Sequence, residues 1–194
     1  MPPGSLPPAL TDWFAAKGWS PRTHQLAMLE EARAGRHALL VATTGAGKTL
    51  AGFLPTLTEL IEAPSEGLHT LYVSPLKALA VDIRRNLVMP VEEMGLDIRV
   101  ETRTGDTSSD KKARQRVKPP HILLTTPESL SLLLSYPDAE TMFAGLKTIV
   151  VDEVHAFATG KRGDLLSLCM ARLQRIAPAM RRVALSATVA DPDG

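Results

Sequence analysis

The eight residues Ala42-Thr43-Thr44-Gly45-Ala46-Gly47-Lys48-Thr49 constrain this chain more than any other stretch. They follow a short apolar run, residues 37–42, that reads as a strand buried on both faces. They open a segment, residues 48–62, that reads as a helix. Strand, glycine-rich turn, Gly47-Lys48-Thr49, helix is the order a phosphate-binding loop needs. Glycines let backbone amides turn inward and approach phosphate oxygens with no Cβ in the way. The helix begun near Lys48 adds the positive end of its dipole. The expected ligand is therefore a nucleoside triphosphate, ATP with Mg²⁺, cradled by Thr44, Gly45, Ala46 and Gly47. Lys48 would reach the β- and γ-phosphates, and Thr49 would set its hydroxyl on Mg²⁺. The first loop position, commonly glycine, is Ala42 here.

Around this loop strands and helices alternate. Further strands are expected at residues 68–74, 97–102, 121–126, 148–151 and 182–187. Helices are expected at 11–17, 23–34, 76–94 with a break at Pro90, 128–135 and 163–176, and 108–117 reads as a polar, basic helix or loop. Such alternation specifies an α/β fold, a mostly parallel sheet with helices on both faces. Residues 1–12, rich in proline, read as a flexible lead-in and 13–194 as one domain, a size that 194 residues suit. Hydrophobic residues at 44% and charged residues at 22% exclude disorder across the chain. A net charge of +1 means that any nucleic-acid partner must be met by a local patch. The single cysteine, Cys169, rules out a disulfide within the chain and reads as a buried small hydrophobe. There is no signal-peptide pattern at the start and no apolar run of about 18 residues to cross a membrane. A cytoplasmic setting with no membrane partner is expected.

A second chemical feature lies at the end of an apolar strand. Thr148-Ile149-Val150-Val151 runs straight into Asp152-Glu153-Val154-His155. The carboxyl ends of buried parallel strands are where open α/β sheets bind ligands. Asp152 is expected to hold Mg²⁺, and Glu153 to orient and activate an attacking water. An acidic pair at a strand end can also be plain solvated surface. The glycine loop upstream favours chemistry, with Lys48, Asp152 and Glu153 as the catalytic set.

Taken with Gly45-Ala46-Gly47-Lys48-Thr49, the Asp152-Glu153-Val154-His155 stretch resembles superfamily 2 helicases of the DExH kind. Further helicase-like motifs stand in the right order. Pro21-Arg22-Thr23-His24-Gln25 resembles a Q motif, and Ser74-Pro75-Leu76-Lys77-Ala78-Leu79-Ala80 resembles motif Ia. Thr102-Arg103-Thr104-Gly105-Asp106-Thr107 resembles motif Ib. Thr125-Thr126-Pro127-Glu128-Ser129-Leu130 is similar to the Thr-Pro-Glu motif, and Ser186-Ala187-Thr188 to motif III. The wording of these stretches, with Lys161-Arg162-Gly163, is most similar to the large helicase-related (Lhr) family, which includes bacterial ligase-associated DExH helicases. The resemblance covers residues from about 13 to 190 and implies a RecA-like, three-layer phosphate-loop fold.

The resemblance also implies roles. Pro75, Lys77, Arg103, Thr104, Gly105, Thr126, Pro127 and Glu128 would grip the backbone of a single strand. Loops of hydroxyls, amides and a few cations hold phosphates in this way without reading bases. Thr126-Pro127-Glu128 is equally a plain helix start, and the two roles are compatible. Ser186 and Thr188 would couple the ATP site to the strand, and His155 would bridge the acidic pair to motif III or to a second domain. Gln25 would read adenine; the alternative is a surface helix residue. Phe14 or Trp19 would either stack on the base or pack in the core. The basic cluster Lys111, Lys112, Arg114, Arg116 and Lys118 reads better as a solvated helix face than as a nucleic-acid contact.

The function expected is the ATP-binding first motor domain of a DExH-box helicase that moves 3′ to 5′ on single-stranded DNA in DNA repair. RNA or an RNA–DNA hybrid is the alternative strand. The implied partners are a second RecA-like domain of the same polypeptide and, in repair, a DNA ligase or nuclease. The chain ends at Asp191-Pro192-Asp193-Gly194, so it is expected to be an N-terminal fragment, nearly inactive by itself. Two readings compete: another phosphate-loop enzyme such as a kinase or transporter ATPase, and a non-catalytic binding module. The first would need an acceptor pocket or a transporter signature in place of the Thr-Pro-Glu and Ser-Ala-Thr stretches.

Overall fold

The computed structural model describes residues 5–43, 45–75 and 83–187. Six parallel strands form one sheet: β1 (Ala38–Val41), β2 (Thr70–Val73), β3 (Val100–Arg103), β4 (Ile122–Thr125), β5 (Thr148–Val151) and β6 (Arg181–Ser186). Their order in space is β1-β6-β5-β2-β4-β3, each neighbour parallel to the next.

Side chains alternate across a strand, so each strand feeds two cores. On one face Leu40, Tyr72, Leu124, Val150 and Leu185 pack beneath α1 (Pro8–Ala16), α2 (Thr23–Arg33) and α3 (Lys48–Glu62). On the other, Leu71, Val73, Leu123, Ile149 and Val151 pack beneath residues of α6 (Pro127–Ser135), α7 (Ala139–Phe143) and α8 (Lys161–Ile176). Helix, sheet, helix makes three layers, as the alternation predicts. Two further helices are α4 (Met89–Glu93) and α5 (Ser109–Val117). Cys169 is buried in the second core, where desolvation pushes its thiol pKa up.

Three local expectations are corrected, and one left open is resolved. Helix α1 begins at Pro8, inside the segment 1–12 read as lead-in; Leu10 is fully buried, which draws that turn into the domain. Proline fits there because the first helical position lacks a partner for its N–H anyway. Pro90 does not break its helix: a π-helical turn, Arg84–Val88, runs directly into α4 and carries the chain past it. The run expected to be buried on both faces is an edge strand, β1, with Leu39 63% and Val41 52% exposed. The segment of undecided form at 108–117 is helical. Ser108 caps it, its hydroxyl accepting from the Lys111 amide at 3.4 Å.

Candidate functional site

Because the six strands are parallel, the segments that follow them leave the sheet at its carboxyl edge. There a cleft of about 470 Å³ is lined by Gln25, Gly45, Gly47, Lys48, Thr49, Asp152 and Glu153, with Trp19 and Arg85 among its walls. This volume suits a small-molecule ligand.

The glycine loop turns through left-handed backbone. Gly47 has φ 79° and stands just before α3, a conformation that costs other residues strain. A Cβ on it would also come to 3.1 Å from Nε2 of Gln25. Lys48 is buried, and its ammonium donates to the carbonyls of Ala42 at 2.7 Å and Thr43 at 3.2 Å. The charge is thus held over the loop, beside the cleft. Gln25 is 3% exposed: its Oε1 accepts from the Arg22 amide at 2.9 Å, and its Nε2 donates to the Gly47 carbonyl at 3.5 Å. It is therefore no surface helix residue; it buttresses the loop. Phe14 belongs to the core, edge-on to Trp13. Trp19 is 49% exposed, lines the cleft together with Trp13 and Phe14, and packs edge-on to Trp13.

Strand β5 delivers the acidic pair. Asp152 is buried; its Oδ1 accepts from the Glu153 amide at 2.9 Å and its Oδ2 from the Tyr72 hydroxyl. Tyr72 is fully buried on β2 and stacks on Phe53 at 4.7 Å. Sequence reasoning missed this partner. The signal that finds it is strand register, since Tyr72 lies opposite Val150, two residues before Asp152. Glu153 sits at φ 50°, the only non-glycine residue with positive φ among the described residues. Backbone strain of this kind gathers at functional sites. Thr49 and Asp152 offer a hydroxyl and a carboxylate, hard oxygen ligands that suit Mg²⁺, which completes its shell with water and phosphate oxygens.

His155 lies where a bridge was expected. Its Nε2 is 3.2 Å from a carboxylate oxygen of Glu153, and its Nδ1 is 3.1 Å from the Ser186 hydroxyl at the end of β6. The Ser186 hydroxyl itself donates to the Ala187 carbonyl at 3.0 Å, so His155 links the Glu153 carboxylate to the hydrogen-bonded end of β6.

Strands β2, β4 and β3 are neighbours, so their loops stand side by side. These loops carry Pro75, Thr104, Gly105, Thr126, Pro127 and Glu128. Thr126 caps α6 by accepting from the Ser129 amide at 3.4 Å, and Pro127 takes the first helical position, so the helix-start role is fulfilled. The Thr104 amide donates to Thr107 Oγ1 at 3.0 Å, and Lys112 donates to the Gly105 carbonyl at 2.8 Å, which fixes the β3 loop.

Arg103 departs from its expected role. It is 3% exposed and donates to the Lys112 carbonyl at 2.8 Å and to Gln115 Oε1 at 3.4 Å. Burial pulls its pKa down from the usual arginine value. β3 runs to residue 103 rather than 102, which makes Arg103 an inward-facing strand residue that braces α5. The basic cluster also largely pairs within the domain: Arg114 with Glu101 at 2.7 Å, and Arg116 with Asp138 at 3.4 Å while lying over the Tyr136 ring. A pairing that sequence reasoning also missed joins Glu128 to Arg162 at 2.7 Å, and Arg162 holds the Glu128 carboxyl below its ordinary pKa. Thr44, Lys77 and Thr188 lie outside the described residues.

Fold and site together define an α/β domain with a phosphate loop and an acidic strand end on one sheet edge. The chain belongs to the DEAD/DEAH box helicase family, whose model matches residues 22–193. It is similar to the ATP-dependent helicase Lhr-Core protein 2 of Thermococcus barophilus, at 44% identity over 92% of this chain and 22% of that protein. It is also similar to the Lhr helicase/probable uracil glycosylase of Mycolicibacterium smegmatis, at 42% identity over 95% of this chain and 13% of that protein. Among solved structures, the Mycobacterium smegmatis helicase Lhr bound to ssDNA and AMP-PNP aligns with a TM-score of 0.84 and 39% identity, covering 97% of this chain and 25% of that one. The helicase MrfA aligns with a TM-score of 0.84 and 32% identity, covering 99% of this chain and 31% of that one. The chain thus spans less than a third of each of these relatives, and its sheet is that of a RecA-like helicase domain.

Proposed function

We propose that this chain is the ATP-binding first motor domain of a longer DExH helicase that spends ATP hydrolysis on moving along single-stranded DNA. The observation that carries this reading is the cleft where Lys48, Thr49, Asp152 and Glu153 meet. In it Lys48 and the loop amides bind the triphosphate, and Thr49 and Asp152 hold Mg²⁺. The metal, when bound, neutralises charge that develops on the phosphates. Glu153 orients the attacking water, and Gln25 and Trp19 face the base. His155 and Ser186 relay the state of this cleft to the neighbouring loops, where Pro75, Thr104, Gly105, Thr126 and Pro127 hold the strand.

DNA is supported as the strand by the relative whose structure holds ssDNA and AMP-PNP at 39% identity. Movement in the 3′-to-5′ sense, a part in DNA repair beside a ligase or nuclease, and a cytoplasmic setting belong to the same reading. So does a second RecA-like domain of the same polypeptide, facing the cleft and supplying the arginines that complete it. The test is strand separation by the full-length protein on duplexes with a 3′ or a 5′ single-stranded tail, made of DNA or RNA. Unwinding of the 3′-tailed DNA duplex alone is expected. A preference for the 5′ tail overturns the direction, a preference for RNA overturns the strand, and no ATP-dependent separation overturns the motor.

A further inference from the structure

Arg162, the middle residue of Lys161-Arg162-Gly163, ties together elements that are far apart in sequence. Its Nε lies 2.7 Å from one carboxylate oxygen of Glu128 and a terminal nitrogen lies 3.3 Å from the other. The terminal nitrogen also donates to the Pro75 carbonyl at 2.8 Å. One guanidinium therefore bridges the loop after β2 to the first turn of α6. Its fork geometry fixes orientation as well as distance.

Arg162 also meets the turn that follows the acidic pair. The Phe157 ring lies 5.8 Å from its guanidinium carbon. Phe157 closes the 3₁₀ turn, Val154–Phe157, that begins directly after Glu153. Helix α8 starts hard against that turn, and only glycine fits there: a Cβ on Gly163 would stand 2.1 Å from the Phe157 carbonyl oxygen. A continuous run of packed and hydrogen-bonded groups thus leads from Glu153 through Phe157 and Gly163 to Arg162, Glu128 and Pro75.

We propose that Arg162 is a positioning residue: it sets the spacing of the Pro75 and Thr126–Glu128 loops and ties it to the turn that follows Asp152 and Glu153. This rests on the reading of those loops as a grip for a nucleic-acid strand. A bare carboxylate among phosphate-holding loops would repel the strand, and Arg162 neutralises Glu128 where it stands. Lysine cannot replace it fully, because a point charge does not serve a carboxylate bidentately and a carbonyl at once.

The test measures ATPase activity of the full-length protein against the concentration of a single-stranded DNA oligonucleotide. Arg162→Ala, Arg162→Lys, Glu128→Gln and the double variant Arg162→Ala/Glu128→Gln are compared with wild type. The half-stimulating DNA concentration is expected to rise about tenfold in Arg162→Ala, as loss of a charge-assisted contact implies. Glu128→Gln should raise it in the same direction, the double variant should be no worse than the worse single one, and Arg162→Lys should recover only part. If Glu128→Gln tightens DNA binding, Arg162 is a direct phosphate ligand and the proposal falls. If the variants lower only the melting temperature and leave the half-stimulating concentration alone, the role is merely structural and the proposal also falls. A wild-type ATPase indifferent to DNA would instead remove the strand-binding reading, and this inference with it.

Discussion

Tyr72 sends its hydroxyl from one strand to a carboxylate oxygen of Asp152 at the end of the next. A metal-binding carboxylate held by an outer partner keeps its orientation, and losing such a partner typically costs 10- to 100-fold in metal affinity. Tyr72→Phe keeps the stacking on Phe53 and removes only the hydroxyl. The Mg²⁺ concentration for half-maximal ATPase in the full-length protein is expected to rise about tenfold. A magnesium titration that superimposes on wild type would strip Tyr72 of this role. At this scale the sequence was readable where partners adjoin. Lys48 and Thr49 stand within the glycine loop, and Asp152, Glu153 and His155 fall within four residues. It was silent where partners are distant: Tyr72 and Asp152 are 80 residues apart, and Arg162 and Glu128 are 34 apart. Only the register of β2 on β5 and the docking of α8 bring them together.

Among the elements, the start of α8 carries the tightest steric demand. Replacing Gly163 with alanine would force a methyl group into the Phe157 carbonyl oxygen, so α8 or the 3₁₀ turn must shift. Overpacking of this kind costs about 1–3 kcal/mol. Gly163→Ala should lower the urea midpoint by a corresponding amount without changing the slope. An unchanged midpoint would mean that the helix start is freer than this geometry allows. The elements themselves followed from hydrophobic run and flanking residues: α3 has the bounds expected, and so does β5. Misreadings came where tertiary context decides. β1 has the apolar composition of a buried strand yet lies at the sheet edge, because position in the sheet is set by the other strands. Pro90 looked like a stop, but a π turn upstream absorbs it. Arg103 looked like a loop cation, and one extra residue of strand turned it inward.

Over the whole molecule, binding and stability occupy opposite edges of the sheet. At the edge away from the cleft, Glu59 of α3 meets Arg181 at 2.6 Å and His69 at 3.3 Å, and Arg181 also bonds Thr148 at the start of β5. Burial raises the Glu59 pKa, but hydrogen bonds from His69 and Arg181 outweigh it, so the folded value lies below the ordinary one. A depressed folded pKa contributes stability that is present above the unfolded value, about 4.3, and lost as pH falls through the folded one. Glu59→Gln is therefore expected to cost about 2 kcal/mol at pH 7, allowing for partial exposure. Its deficit in urea midpoint against wild type should narrow as pH drops below about 4.3. A deficit that stays constant with pH would mean that the network does not titrate as described.

One cleft on one sheet edge is proposed to bind ATP for a motor driven by a nucleic-acid strand. Steady-state ATPase of the full-length protein, with and without single-stranded DNA and in wild type and Lys48→Ala, tests it most directly. Wild type should be stimulated by DNA, Lys48→Ala should lose the stimulated rate, and residues 1–194 alone should turn over little or no ATP. DNA-stimulated turnover that survives Lys48→Ala would contradict the claim.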